Sequence, residues 1–260
     1  MTLQATDIIV HLGKTRVLHG IDYVAAPGAV SCIVGPNGSG KTTLLRALTG
    51  EVGYDGRVTL GGTDIKGAPP WALAERRGVL PQATALAFPF NVIEVVRLGL
   101  PYPKDAPLAR HALARVGLAG YETRFYQELS GGEKQRVQLA RVLAQIREPV
   151  GPEGPRWLFL DEPVSALDIA HQLQVMQIAR DFADAGGGVV AVMHDLNLTA
   201  MFADAVHVLE GGRVLAEGPP GQVMTDAVLS RAYGCVLRVG AAPPAGVPFV
   251  LPHVAAEAAE

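Results

Sequence analysis

The segment GPNGSGKT, Gly35 to Thr42, constrains the chain more than any other. It follows the strand-like run AVSCIV, opens the helix-like run KTTLLRAL, and matches the pattern G-x-x-x-x-G-K-[ST]. A plain glycine-rich turn would leave Lys41 at a helix start, where a cation is unfavourable. An anion at the same place resolves the conflict, because bare backbone N–H groups meet the positive end of a helix dipole there. The spacing therefore predicts a phosphate cradle. Lys41 would reach the β and γ phosphates of a nucleotide, and Thr42 would ligate Mg²⁺.

RWLFLDEP supplies a second half. Four apolar residues run straight into Asp161 and Glu162, as where a buried strand emerges at the carboxyl edge of an α/β sheet, the edge where ligands sit. Asp161 is suited to hold Mg²⁺, and Glu162 to polarise an attacking water as general base. AVSCIVG, RRGVLPQ and GGVVAVMHD are further short apolar runs of the buried-strand kind, alternating with helical patterns, which predicts a largely parallel sheet wrapped by helices. DIIVHL, RVLHGIDYVA and RVTLGG read as an antiparallel N-terminal piece, HVLEGGRVLAEG as a hairpin, and GQVMTDAVLSRAYG as one helix. A tail from Gly240 is rich in Pro and Ala, with an extended strand or arm expected near PFVLP.

A third stretch, LSGGEKQRVQLARVLAQ, puts two glycines in front of a strong helix. Ser130 and Glu133 fit a capping box. That accounts for neither Gly131 nor Gly132, which weaken a helix relative to Ala, whereas close approach of an anion would account for both.

Composition narrows the setting. With 49% hydrophobic residues the chain can bury a sizeable core, and a net charge of −3 gives no reason to expect nucleic-acid binding. Cys32 and Cys235 lie 203 residues apart without metal-ligand spacing, so reduced thiols are expected, Cys32 buried. No signal peptide is expected at the N-terminus, and no run reaches the roughly 18 apolar residues of a membrane span. The expected location is cytosolic, with membrane attachment through a partner.

Together these motifs resemble the ATP-binding cassette (ABC) ATPases over about residues 3–238. The resemblance implies an α/β P-loop NTPase with an N-terminal antiparallel β piece and a helical signature subdomain at about 83–145. Residues 1–240 would form the ATPase domain and 241–260 an extended tail. It implies that Gly35, Pro36, Asn37, Gly38, Ser39, Gly40, Lys41, Thr42 and Thr43 bind ATP, and that Asp161 holds Mg²⁺ beside the base Glu162. Gln82 in VLPQ matches the glutamine loop that completes the Mg²⁺ shell, Asp168 in SALD the D-loop, and His194 in VMHD the switch histidine at the γ-phosphate. LSGGE matches the family signature, so Ser130, Gly131, Gly132 and Glu133 would face the ATP of a second subunit in a head-to-tail homodimer. One departure is implied: Leu12, 29 positions before Lys41, stands where the family usually places an aromatic to stack on adenine, which puts strict adenine preference in doubt.

Only 88 residues lie between Lys41 and Ser130, which leaves no room for the long coiled coil of repair-type members. One cassette and no fused membrane domain argue against translation-type and most exporter members. QATALAFPFNVIEVVRLGL, REPVGPEGPRW, ALDIAHQ and GVPFVLP resemble importer ATPases for metal chelates. That implies a peripheral subunit on the cytoplasmic face of the inner membrane, a transmembrane permease dimer, and, indirectly, a periplasmic haem-binding protein. Haem is the expected cargo, with siderophore or vitamin B12 import as the alternative, and a soluble ABC switch as the reading from another class.

Overall fold

The computed structural model describes residues 1–82, 86, 88–100 and 106–252. Position 83, where the helical subdomain is expected to begin, and the tail from 253 lie outside them. Strands β1 (Leu3–Leu12) and β2 (Thr15–Ala25) form an antiparallel hairpin of alternating burial. The fully buried β3 (Val30–Val34) leads through the glycine loop into α1 (Lys41–Thr49). Next come β4 (Asp55–Leu60), β5 (Thr63–Asp64), α2 (Pro70–Arg76) and β6 (Arg77–Leu80). The helices α3 (Val92–Arg97), α4 (Ala106–Arg115) and α5 (Gly131–Gln145) follow. A small hairpin of β7 (Val150–Gly151) and β8 (Gly154–Pro155) precedes the buried β9 (Trp157–Asp161). The chain closes through α6 (Ile169–Asp184), β10 (Gly188–Val192), α7 (Leu196–Phe202), β11 (Ala205–Glu210), β12 (Arg213–Gly218), α8 (Pro220–Val223) and α9 (Asp226–Tyr233).

Two main sheets result. Among the described residues β2-β1-β4-β5 is antiparallel, and the larger sheet runs β12-β11-β3-β10-β9-β6. In the larger one β11, β3, β10, β9 and β6 are mutually parallel, and only the edge strand β12 is antiparallel. Its central strands read as unbroken apolar runs because both faces are covered. On one face the N-terminal sheet and α1 close a core that holds Leu44, Leu45, Trp157 and Phe159, and on the other the helices close a core with Val95, Leu139, Val142 and Met176. Burying each such side chain contributes roughly 1.5–3 kcal/mol. α3 and α4 pack on α5. Because the strands are parallel, the segments that follow β3, β6, β9 and β10 all leave the sheet at one edge.

One expectation changes, and another narrows from a strand or arm to the arm alone. GQVMTDAVLSRAYG is two helices, since the Thr225 hydroxyl accepts from the Val228 N–H and starts α9 afresh. Near PFVLP the described residues hold no strand: Phe249 and Val250 are exposed, and Val247 closes a turn on the Pro244 carbonyl. Cys32 is buried, with burial pushing its thiol up to about 12, while Cys235 is exposed, and both are free. Among the described residues no helix is long and apolar enough to cross a membrane.

Candidate functional site at the carboxyl edge of the large sheet

Gly35 is the first residue beyond β3, and its conformation is one that only glycine adopts readily (φ +148°). A Cβ there would stand 2.3 Å from the Leu209 carbonyl, so β11 presses directly on the start of the loop. Gly40 sits at the cap position of α1 with φ +102°, and no side chain caps the helix. The loop between them wraps Lys41, which is 6% exposed and donates Nζ to the Gly35 and Pro36 carbonyls at 2.8 and 3.0 Å. Burial lowers the Lys41 pKa, against the pull of Glu162 and Asp161. Ser39 is 3% exposed, and its Oγ has no protein partner among the described residues. An uncapped helix start, a buried ammonium and an orphaned hydroxyl facing the same loop fit a polyphosphate.

Asp161 ends β9 and is 2% exposed. Burial raises its pKa, opposed by the Thr42 hydroxyl, which donates to it at 3.0 Å. Among the described residues no three of His, Cys, Asp and Glu converge as a self-contained metal site. A hydroxyl and one carboxylate suit Mg²⁺, which keeps waters and takes phosphate oxygens in its shell.

Glu162 gathers the remaining edge. His194 Nε2 lies 2.6 Å from its Oε1, and Gln82 Nε2 donates to its Oε2 at 2.9 Å. His194 follows β10 and Gln82 follows β6, so strands distant in sequence bring two side chains to one carboxylate. The backbone carbonyl of Glu162 also accepts from Gln135 Nε2 on α5 at 2.8 Å. Residue type alone offers no signal for Gln135, since a side chain bonding to a remote backbone atom leaves no periodic trace.

The signature residues stand apart. Ser130 caps α5: its Oγ accepts from the Glu133 N–H, and the Glu133 carboxylate accepts from the Ser130 N–H at 2.8 Å. The Ser130 N–H and the Ser130 hydroxyl both donate to that carboxylate and hold it below the usual carboxylate range. Among the described residues no hydrogen bond joins Ser130–Glu133 to the loop of Gly35–Thr43. Gly131 is open, with only the Ala166 Cβ near its missing Cβ, whereas Gly132 packs against its own chain. A Cβ on Gly132 would stand 2.9 Å from the Ala166 carbonyl. Asp168 caps α6, with its carboxylate bonded to the N–H and ring Nδ1 of His171. Leu12 ends β1 at the hairpin tip and is 50% exposed.

The ABC transporter family model matches residues 18–165. The hemin import ATP-binding protein HmuV of Jannaschia sp. (strain CCS1) is 63% identical, over 97% of this chain and 95% of its own length. The protein of the same name from Roseobacter denitrificans is also 63% identical, over 98% and 99%. A solved nucleotide-free ATP-binding cassette from an ABC transporter superposes with a TM-score of 0.74 at 23% identity, over 88% of this chain and 96% of that one, a likeness of fold.

Proposed function

The chain belongs to the ABC transporter family, and from that premise we propose that it is the ATP-hydrolysing subunit of a bacterial importer that drives haem uptake through a partner permease. It is an ATP hydrolase that works with Mg²⁺. The observation that carries the reading is the convergence on one sheet edge of Lys41, Thr42, Asp161 and Glu162, with Gln82 and His194 bonded to Glu162.

In this reading the loop N–H groups of Gly35 to Thr43 and the Lys41 ammonium bind and orient the triphosphate. Thr42, Asp161 and Gln82 would hold Mg²⁺, which would supply neutralisation of the phosphate charge. Glu162 takes a proton from the attacking water at a carboxylate oxygen. His194 and Gln82 each engage one of its oxygens in this structure, and each oxygen keeps a second lone pair for the water. His194 then holds the γ-phosphate side of the site. Ser130 and Gly131 serve the ATP of the second subunit in a head-to-tail homodimer, with Asp168 at the same interface. Residues 1–240 make the ATPase unit, with α3 to α5 as its helical subdomain, and 241–260 the tail. The subunit sits at the cytoplasmic face of the inner membrane on a permease dimer, fed by a periplasmic haem-binding protein. The support for haem is that two hemin import ATP-binding proteins are 63% identical to this chain across nearly its whole length.

The test is ATP hydrolysis by the subunit with its permease in liposomes, with haem, a ferric siderophore or cobalamin supplied through the binding protein. Stimulation by haem alone is expected. Stimulation by another chelate instead would change the cargo, and hydrolysis indifferent to all three and to the permease would favour a soluble switch.

A further inference from the structure

Glu162 adopts a backbone conformation rare for its type, with φ at +52°. Among the described residues only Asp7 shares a positive φ without being glycine. A residue with a Cβ stays in that region only where its surroundings over-determine it. Four hydrogen bonds do so here, one of them from the Ser165 N–H to the Glu162 carbonyl at 3.4 Å. The Glu162 N–H donates to the Val192 carbonyl at 3.1 Å. Its carbonyl accepts from Ser165 Oγ at 3.2 Å and from Gln135 Nε2 at 2.8 Å.

Gln135 stands one turn into α5, on the helix that Ser130 caps. Its Oε1 is buried and has no partner among the described residues, so the Glu162 carbonyl alone orients the amide. Flipping it would set two oxygens face to face. Beside it, Gly132 lies against Ala166 so closely that no Cβ would fit without movement. The first two turns of α5 and the loop from Glu162 to Asp168 are thereby tied twice, once by a hydrogen bond and once by close packing.

We infer that Gln135 is a positioning residue for hydrolysis. Through the Glu162 carbonyl it holds the general base in its left-handed conformation, and it makes the base of one ATP site depend on the helix whose start serves the other. The inference rests on the proposed roles of Glu162 and Ser130. A γ-phosphate drawing the start of α5 toward itself moves Gln135, and the backbone of Glu162 follows. The two sites then hydrolyse together rather than independently. Losing the Gln135 amide leaves the phosphate loop and the Mg²⁺ donors untouched, so nucleotide binding and hydrolysis separate.

Gln135→Leu keeps volume and removes the donor, and Gln135→Glu keeps shape while setting a carboxylate against the carbonyl. Steady-state hydrolysis by the full chain with its permease should show kcat lowered about tenfold in both, as for loss of one hydrogen bond, with the ATP KM within about twofold. The Hill coefficient for ATP should fall toward one. In a Glu162→Gln background, Gln135→Leu should leave ATP-driven dimerisation intact, because no base remains to be positioned. Loss of dimerisation there would make Gln135 a merely structural residue and overturn the inference. Wild-type kcat and Hill coefficient in both variants, with Glu162→Gln inactive, would overturn it too while leaving the base assignment standing. Hydrolysis that survives Glu162→Gln would instead remove the base assignment, and the inference with it. Should Gln135→Leu fail to fold, Gln135→Glu carries the same reading.

Discussion

The two glycine-rich helix starts of this molecule, before α1 and at α5, are alike in sequence and opposite in how their backbone donors are met. At α1 no side chain caps the helix, the first turn holds no acid, and Lys41 is buried beside it. At α5 the chain meets its own needs, with Ser130 and Glu133 closing a capping box and a carboxylate already at the mouth. The first start is incomplete without an anion. The second is stable alone and has only the open face at Gly131 to offer. On the function proposed above, a phosphate would bind first and most tightly at α1, with α5 as the second jaw of a site built by two subunits.

The contrast can be broken most forcefully at Glu162, the proposed base at the sheet edge beside α1. Glu162→Gln keeps side-chain shape and removes the base, so kcat should fall roughly a thousandfold while ATP still binds. Single-turnover hydrolysis and nucleotide affinity measured on the same preparation check this. Next in size is Lys41→Ala, which removes the one full charge bonded within the loop. ATP affinity should drop on the order of 10- to 100-fold, the worth of a charged hydrogen bond, and near wild-type affinity would sink the phosphate cradle.

A paired substitution sharpens the α5 half. Gly132→Ala meets the Ala166 carbonyl and should destabilise the fold by roughly 1–3 kcal/mol, as overpacking does. Gly131→Ala meets only the Ala166 Cβ at an ordinary contact distance and should hold or raise stability by up to about 1 kcal/mol through helix propensity, yet lower hydrolysis by crowding the partner's phosphate. Thermal melts beside activity separate the two, and equal losses at both glycines would erase the distinction. The smallest effect is expected at the exposed Leu12. Leu12→Tyr should strengthen ATP binding by about 1 kcal/mol if the ring reaches the base, with the ATP-over-GTP ratio rising in step.

Much of this site was legible in the sequence, for a physical reason. Parallel strands buried on both faces read as unbroken apolar runs, and parallel order delivers whatever follows them to one edge. That places the glycine loop, Asp161, Glu162, Gln82 and His194 together before any contact is known. The capping box at Ser130 is equally local. What stayed hidden depends on contacts across the fold. Gly132 carries a packing duty against Ala166 that no motif announces, and Gln135 reaches a carbonyl 27 residues away. The break before α9 turns on one Thr225 hydroxyl, a local bond that outweighs helix propensity on both sides. The tail read as a strand or an arm because Phe249 and Val250 suit a strand, and the described sheets offer it no partner, which leaves the arm.

The central claim is that the α1 and α5 starts of different subunits close on one ATP, and the oligomeric state of two variants tests it most directly. Glu162→Gln, studied by size-exclusion chromatography with light scattering, should be monomeric without nucleotide and dimeric with ATP. Adding Ser130→Arg should abolish the dimer and leave ATP binding to the monomer nearly unchanged, because Lys41 of the same subunit is untouched. A double variant that still dimerises with ATP would contradict the account and leave the start of α5 as a capped helix and nothing more.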